Sequence, residues 1–396
     1  MGAKSEGAGS GSALRVVHVV RQFSPSIGGL EDAVRNLARH GRDVEGFDAS
    51  VVTLDRVFTA ASERLPAQDV VDGIPVTRIP WTGSRRYPIA PSVLRHLAGA
   101  DVVHVHAIDF FFDALAATRV FHGRPLVCST HGGIFHTGAQ LALKKLFFQT
   151  VTRASAKAYD AIVACSAADA ALFAPIAAGR LLTIENGVDV TKFAGCASAQ
   201  PGRRIISFGR LASHKRIGSL FTLLAALRSS SPEWTLTIAG VEGDQTEAAL
   251  AAAAEGAGVA SAVRFVINPD TASLAREIGT ASYFASASAH EGFGIAAVEA
   301  LSSGLIPVLS DIPPFVSLVK RVAEGMVFDP GEPVQAAARL LAIDASGGAT
   351  EARKKRVAAV AETFAWPTAS SAYARVYHRV SRCSVERAGM LATAGS

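Results

Sequence analysis

Glu291 and Glu299 stand in an E-x7-E spacing inside the run SASAHEGFGIAAVEALSSGLIPVLSD, residues 286–311. A strand is expected to end near Ser286. Glu291, Gly292, Phe293 and Gly294 then make the turn into a helix that opens at Ile295. A carboxylate accepts several hydrogen bonds, which suits the hydroxyls of a sugar or a ribose. The two glycines let backbone come close to a ligand, and the helix start offers unpaired N–H groups to an anion. Taken alone, the spacing describes a capped helix with one solvated glutamate. The embedding pattern EGFG-x4-E-A-L-x2-G is what makes it a candidate site.

Matching cations lie in Phe208-Gly209-Arg210-Leu211-Ala212-Ser213-His214-Lys215. Arg210 could grip a diphosphate through paired N–H groups and Lys215 as a point charge, neutralising a leaving group. Alone, they would be ordinary surface cations. Gly28-Gly29, with Glu31, falls between the first strand and the first helix and suits a backbone nest or helix start facing an anion. It is not G-x-G-x-x-G, so the dinucleotide fingerprint is absent. His131, in Ser129-Thr130-His131-Gly132-Gly133, would project from a strand's carboxyl end. There it could bond a sugar hydroxyl or steady developing charge; a structural histidine is the plainer reading. His104 and His106 share one strand face by period-two spacing. No third ligand is evident beside them, so no metal is assigned.

Positioning these groups requires short β-rich runs alternating with helical patterns, the signature of parallel sheets with crossover helices. Strands are expected at 14–20, 49–54, 101–106, 125–130 and 161–165, then at 204–208, 235–239, 263–267, 283–286 and 306–309. Leu30, Ala33, Val34, Leu37 and Ala38 recur on one helix face. Further helices are expected at 218–228, 247–255, 274–279, 295–303 and 333–343. The stretch holding Pro66, Pro75, Pro80, Pro88 and Pro91 reads as largely loop. Residues 194–202 are small, polar and Gly/Pro-bearing, as a linker would be. The last strong helical pattern runs near 368–380, and residues beyond Ser381 read as a frayed tail.

The fold class is therefore α/β, with two Rossmann-like doubly wound domains in series. The expected boundaries are a flexible tail at 1–13, an N-terminal domain at 14–190, a C-terminal domain at 200–365 and a helix at 366–382. Ligands of such sheets bind beyond the carboxyl ends of the strands, and two facing domains would share one cleft.

The 396 residues are 49% hydrophobic and 18% charged, enough for two cores and unlike a disordered chain. No apolar run reaches the length of a spanning helix, and the Gly/Ser/Ala-rich start lacks the apolar core of a secretory signal. Gly2 is followed by Glu6 where a myristoylation motif wants Ser or Thr. Cys128, Cys165, Cys196 and Cys383 show no metal-ligand spacing, and a reducing cytoplasm is expected. The formal net charge of +5 admits nucleic acid, anionic lipid or phosphate-bearing substrates, and charge alone does not choose among them; no nucleic-acid partner is expected.

Taken in order, GGLE, THGG, ENGVD, FGRL-x3-K and EGFG-x4-E resemble the GT-B retaining glycosyltransferases often called group 1 or family 4. Phe364-Ala365-Trp366 and the helix after it are similar to that family's closing segment, which crosses back to the first domain. The resemblance covers residues 14–382. It implies a metal-independent hexosyltransferase without cofactor. Arg210 and Lys215 would hold the donor diphosphate, and Glu299 the nucleotide ribose. Glu291 and the backbone of Gly292, Phe293, Gly294 and Ile295 would meet the transferred sugar and phosphates. His131 would contact the donor sugar, and Gly28-Gly29 the donor phosphate or acceptor. It also implies retention of configuration through same-face attack, with the leaving phosphate taking the acceptor's proton. Where the family often reads G-x-G-P, this chain has Gly240-Val241-Glu242-Gly243-Asp244, and the contacts of that loop stay open.

RQFSPSIGGLED, VHVHAIDFFFD and STHGGIFH further resemble bacterial exopolysaccharide α-mannosyltransferases. That narrower likeness implies GDP-mannose as donor and a polyprenyl-diphosphate-linked oligosaccharide as acceptor. A UDP-sugar with another glycan or lipid acceptor, and a non-catalytic nucleotide-sugar-binding protein of the same fold, remain as alternatives. An epimerase or phosphorylase of this fold is a further one, although no cofactor-lysine context is found for the latter. Leu143-Lys144-Lys145-Leu146-Phe147-Phe148, Arg153 and Lys157, with Phe110-Phe111-Phe112 adding apolar surface, could lie on anionic lipid; a core-packed helix with solvated lysines is the alternative. The expected place is the cytoplasm, at the inner face of the cell membrane.

Overall fold

The computed structural model describes residues 13–26, 28–60, 62–85, 87–131, 146–177 and 179–394. The chain divides at Gly187–Val188 and again at Ala365–Trp366 into two compact units. The second division returns the final helix to the first unit.

The first unit contains β1 (Arg15–Val19), β2 (Asp48–Leu54), β3 (Gln68–Val71), β4 (Ile74–Ile79), β5 (Thr82–Ser84), β6 (Tyr87–Ile89), β7 (Val102–His106), β8 (Leu126–Ser129), β9 (Ala161–Ala164) and β10 (Leu181–Thr183). Eight of these form one sheet in the order β10-β9-β8-β7-β1-β2-β4-β3. Its strands are near-continuous apolar runs, because helices cover both faces. Val17, Val19, Val103, Val105 and Cys128 point into one core with Phe111, Phe112 and Leu115. Val16, Val102 and Val127 point the other way, against Trp366, Tyr373 and Tyr377 of the helix Trp366–Ala394.

The proline-bearing stretch is not largely loop, since it contributes β3 to β6. Asp72 and Gly73, both at positive φ (49° and 76°), form a two-residue hairpin turn between β3 and β4. Pro75 is tolerated because it lies at the strand's beginning, one residue in. Arg78 is buried on β4 and bonds Ser24 O (2.8 Å), Pro66 O (3.2 Å) and Asp69 (2.8 Å). The residues beyond Ser381 do not fray at once; the helix runs on to Ala394, through good helix formers such as Ala, Arg, Glu, Met and Leu.

The second unit contains β11 (Arg204–Phe208), β12 (Thr235–Gly240), β13 (Val263–Ile267), β14 (Tyr283–Ser286), β15 (Ile306–Ser310) and β16 (Met326–Phe328). They form an all-parallel sheet in the order β13-β12-β11-β14-β15-β16. Residues 194–202 are no free linker. Gly195, Ala197 and Ser198 donate backbone hydrogen bonds to Ser302, Ser303 and Ala281, tying the segment into this unit. Val188, Val190 and Phe193 belong to its core.

Candidate functional site

In the second sheet β11 and β14 are neighbours, and the chain leaves them toward opposite edges. That reversal opens a crevice at their carboxyl ends, the usual ligand position of an open α/β sheet. The loop after β11 carries Gly209 to Arg216, and the loop after β14 carries Ala287 to Gly294. The two loops are bonded together. Arg216 donates to the carbonyls of Ala287 (2.8 Å) and Ser288 (3.1 Å), and Ala289 N donates to His214 O (2.7 Å). Ser310, at the end of β15, donates to Ser288 O at 2.7 Å.

This bonding brings two sequence candidates into contact. Lys215 Nζ lies 2.6 Å from Glu291 Oε1, with side chains 22% and 14% exposed. The Ser288 hydroxyl donates to the same carboxylate oxygen at 2.7 Å, and bonds the Ser286 hydroxyl at 3.0 Å. An ammonium has three donors, so the pair with Glu291 leaves Lys215 donors for a diphosphate oxygen. His214 and His290 stack beside the pair, with ring centroids 4.9 Å apart. Burial, then the Lys215 charge and then His290, lower the His214 pKa.

The helix Ile295–Ser303 begins directly behind. Its N-cap is Gly294 at φ 90°, with no side-chain cap, so its first N–H groups face the loop unpaired by any side chain. A Cβ on Gly294 would come within 2.8 Å of the Phe315 ring. Gly292 and Ile295 are exposed, and Phe293 packs edge-on against Phe364 at 5.5 Å. Glu299 lies farther along the helix and pairs with Lys192 at 3.1 Å.

The loop left open by its missing proline has a definite role. A Cβ on Gly240 would stand 1.7 Å from the Gly209 carbonyl oxygen, and one on Gly243 2.7 Å from that of Leu211. Both glycines therefore permit the loop after β12 to pass against the cation-bearing loop after β11, joined by Gly209 N to Ala239 O (3.0 Å) and Leu211 N to Val241 O (2.8 Å). Asp244 then holds Ser213 through its N–H (2.8 Å) and hydroxyl (2.6 Å). The stem of Arg210 rests over Gly243, with its Cγ 3.1 Å from that Cβ position. Arg210 itself is exposed and has no ion-pair partner among the described residues.

The first unit offers a different set. Gly28 is extended (φ −179°) and caps the helix Gly29–Asp43, so the nest reading is corrected: only a helix start remains. Glu31 and Asp32 occupy its first turn, and a Cβ on Gly29 would meet nothing within 4 Å. His131 also departs from expectation. Its ring turns inward, with Nε2 3.0 Å from His106 Nδ1 and Nδ1 3.8 Å from Cys165 Sγ. Burial lowers its pKa to about 4. His18 joins His104 and His106 as a third imidazole, because β1 pairs with β7 in the register His18↔His104. These three could hold a metal ion, each offering one ligand atom within 4.8 Å of the others. The His104 and His106 nitrogens are already taken: His104 by Tyr377 Oη (2.7 Å) and Ser129 Oγ (2.8 Å), His106 by His18 (3.0 Å) and His131. Phe111 and Phe112 are fully buried and supply no surface, correcting the reading of that run. Gly132, Gly133, Leu143, Lys144 and Lys145 lie outside the described residues.

Lys192, Ser288, Arg216 and His18 were missed by sequence reasoning. Lys192 and Glu299 lie 107 positions apart, and no local pattern links them. Ser288 sits three residues before Glu291 in a motif otherwise singled out, and the hydroxyl spacing Ser286-x-Ser288 was the available signal.

Residues 27–192 match Glycosyltransferase Family 4, and residues 193–358 match Glycosyl transferases group 1. A GDP-mannose:cellobiosyl-diphosphopolyprenol alpha-mannosyltransferase of Komagataeibacter xylinus is 48% identical, covering 96% of this chain and 96% of its own. A protein of the same description in Xanthomonas oryzae pv. oryzae is 46% identical, covering 92% and 97%. Among solved structures, a sucrose-phosphate synthase from Thermosynechococcus elongatus aligns with a TM-score of 0.72 at 16% identity, over 93% of this chain and 99% of that one. Anabaena HepE in complex with UDP gives 0.71 at 18%, over 92% and 100%. At such identity these two speak for the fold alone.

Proposed function

The chain belongs to the glycosyl transferases of group 1, with the GT-B fold, and from that premise we propose that it moves mannose from GDP-mannose onto a polyprenyl-diphosphate-linked oligosaccharide in exopolysaccharide synthesis. The donor and acceptor rest on the relatives that share nearly half its residues over almost their whole length. The single observation that carries the chemistry is the Lys215–Glu291 pair at the switch point, in front of an uncapped helix start.

In this reading Lys215, Arg210 and the N–H groups from Gly292 to Ile295 stabilise the diphosphate as it departs. The bond from the anomeric carbon to the phosphate oxygen breaks, and the acceptor hydroxyl bonds that carbon from the same face. Its proton passes to the leaving phosphate, so configuration is retained and no metal is required. Glu291 orients the sugar, and Glu299 holds the ribose with Lys192 alongside. In the first unit the helix start at Gly28-Gly29 faces the donor phosphate or the acceptor, and His131, whose ring rests against His106 and Cys165, turns outward to reach the donor sugar.

Among the described residues no helix is long and apolar enough to cross a membrane. A lipid-linked acceptor would be met at the cytoplasmic face instead. Residues 146–156 are continuously helical, with a π turn over Phe148–Thr152. Leu146, Phe147 and Val151 are exposed on it beside Arg153 and Lys157, and Val120 and Phe121 are each 85% exposed. A basic, partly apolar surface of this kind suits anionic lipid.

The test is a panel of GDP-mannose, UDP-glucose, UDP-galactose and UDP-N-acetylglucosamine against cellobiosyl-diphosphopolyprenol. Mannosyl transfer from GDP-mannose in the presence of chelator is expected. Transfer from a UDP-sugar alone would overturn the donor assignment, and binding of GDP-mannose without turnover would overturn the enzymatic one.

A further inference from the structure

We propose that His106 is a positioning residue that fixes the tautomer and the reach of His131, through an unbroken imidazole chain that starts at His18. The inference rests on the reading that His131 touches the donor sugar.

The chain follows from strand geometry. His18 on β1 and His104 and His106 on β7 all point to the sheet face covered by the helix Trp366–Ala394, since side chains two apart share a face. Residue 131 lies two positions beyond the end of β8, whose Ser129 is in register with His106. The contacts run His18 Nδ1 to His106 Nε2 at 3.0 Å, then His106 Nδ1 to His131 Nε2 at 3.0 Å. The His104 ring lies against the His106 ring at 4.0 Å between centroids, tilted by 38°. His104 is itself locked by Tyr377 and by Ser129, whose hydroxyl also bonds Tyr373 at 2.8 Å. The His106 ring therefore cannot swing away without breaking a network that reaches the last helix. Ala107 (φ 75°), just after β7, and His131 (φ 50°), two residues past β8, both occupy the left-handed region. Such conformations persist only where the surroundings over-determine them.

Each 3.0 Å contact between two ring nitrogens needs one N–H and one bare nitrogen, and burial of the rings favours their neutral form. A neutral imidazole has one N–H and one bare nitrogen. The chain consequently has two consistent states. If His18 donates to His106, His106 donates to His131 and the His131 proton sits on Nδ1. If His131 donates inward, every link reverses and His131 presents a bare Nδ1. Nδ1 of His131 lies 3.8 Å from Cys165 Sγ and is the nitrogen that a turn of the ring would present, so whether it carries the proton is coupled through His106 to His18.

Asparagine and glutamine separate positioning from plain core filling. The amide of H106N can stand where Nδ1 stood, keeping a partner for His131. The amide of H106Q can stand at the Nε2 position, keeping only the link to His18. Mannosyl transfer by H106Q should fall on the order of tenfold in kcat, with donor KM changed less than about twofold. H106N should recover most of that loss. In the H131A background H106Q should cost nothing further, because the partner it disturbs is gone. A measurement independent of turnover is 15N NMR of histidine-labelled protein. It should show one dominant His131 tautomer and a nitrogen–nitrogen coupling across the His106–His131 bond in the wild type, both lost in H106Q.

Equal losses in both variants, additive with H131A, would overturn the inference. So would a His131 tautomer that is unchanged in H106Q. Wild-type turnover by H131A would instead strike the reading of His131 as a sugar contact, and the NMR result would then still decide whether His106 sets its tautomer.

Discussion

Gly240→Ala places one methyl group at the point where the loop after β12 passes the loop after β11. Its Cβ would lie 1.7 Å from the Gly209 carbonyl oxygen and 2.8 Å from the Gly209 carbonyl carbon. Both neighbours are backbone, so no rotamer change relieves the contact, and the loops must part by more than about 1 Å to reach van der Waals distance. Gly209 immediately precedes Arg210, and the same loop delivers Lys215 to Glu291. A misplacement of about 1 Å near reacting groups can cost on the order of 10² in rate, or roughly 2.7 kcal/mol of transition-state stabilisation. Strain of this kind in a packed region also destabilises by about 1–3 kcal/mol. Urea unfolding would give the stability loss, and mannosyl transfer measured well below the unfolding transition would give kcat and KM. The expected result is a folded protein with kcat/KM lowered about a hundredfold. Near-native turnover by a folded G240A variant would show that the close approach of the two loops does not position the cations, and the reasoning would fail.

Lys215→Ala should lower kcat by about 10²–10³ if its charge stabilises the departing diphosphate, read in the same transfer assay; a loss confined to KM would contradict that role. Glu299→Ala should weaken GDP binding in calorimetry by about 10–100-fold, the worth of a hydrogen bond to a charged group, and unchanged affinity would remove the ribose assignment. Acid should destabilise the first unit through its neutral histidines. The folded pKa values of His18 and His131, about 3 and about 4, lie below the ordinary 6.5. Stability is therefore full above that value and declines as pH falls from 6.5 toward 4, because the unfolded chain binds the extra protons. The slope should approach about 1.4 kcal/mol per pH unit for each such histidine. Urea unfolding at pH 7 and pH 5 checks it, and His18→Gln should flatten the dependence; a flat wild-type profile would refute the burial of these rings as neutral species.

Much of the second unit was legible because its strands and helices carry local signals. β11, β13 and β14 were expected at the bounds they have, as was the helix Ile295–Ser303. β3 and β4 were missed although Val70-Val71-Asp72-Gly73-Ile74 holds the Asp-Gly signal of a two-residue hairpin. Five prolines outweighed it, and only one of them, Pro75, falls inside β4. Burial of Arg78 was not readable at all, since its partners Ser24, Pro66 and Asp69 are assembled by the sheet.

The amino-acid sequence alone determined that two parallel-sheet units would form, and which loops would carry cations, glycines and carboxylates at strand ends. Spacing along a strand or helix translates directly into a face or an end, so those conclusions need only local geometry. Only the tertiary structure decided the pairing: Lys215 to Glu291, Lys192 to Glu299, and His18 to His106 to His131. The histidines are brought together by strand register and the lysine pairs by the order of the elements around them, across separations of 25 to 107 residues. A hydrogen bond or ion pair falls away within a few ångströms, and a linear chain records no distances between its remote parts.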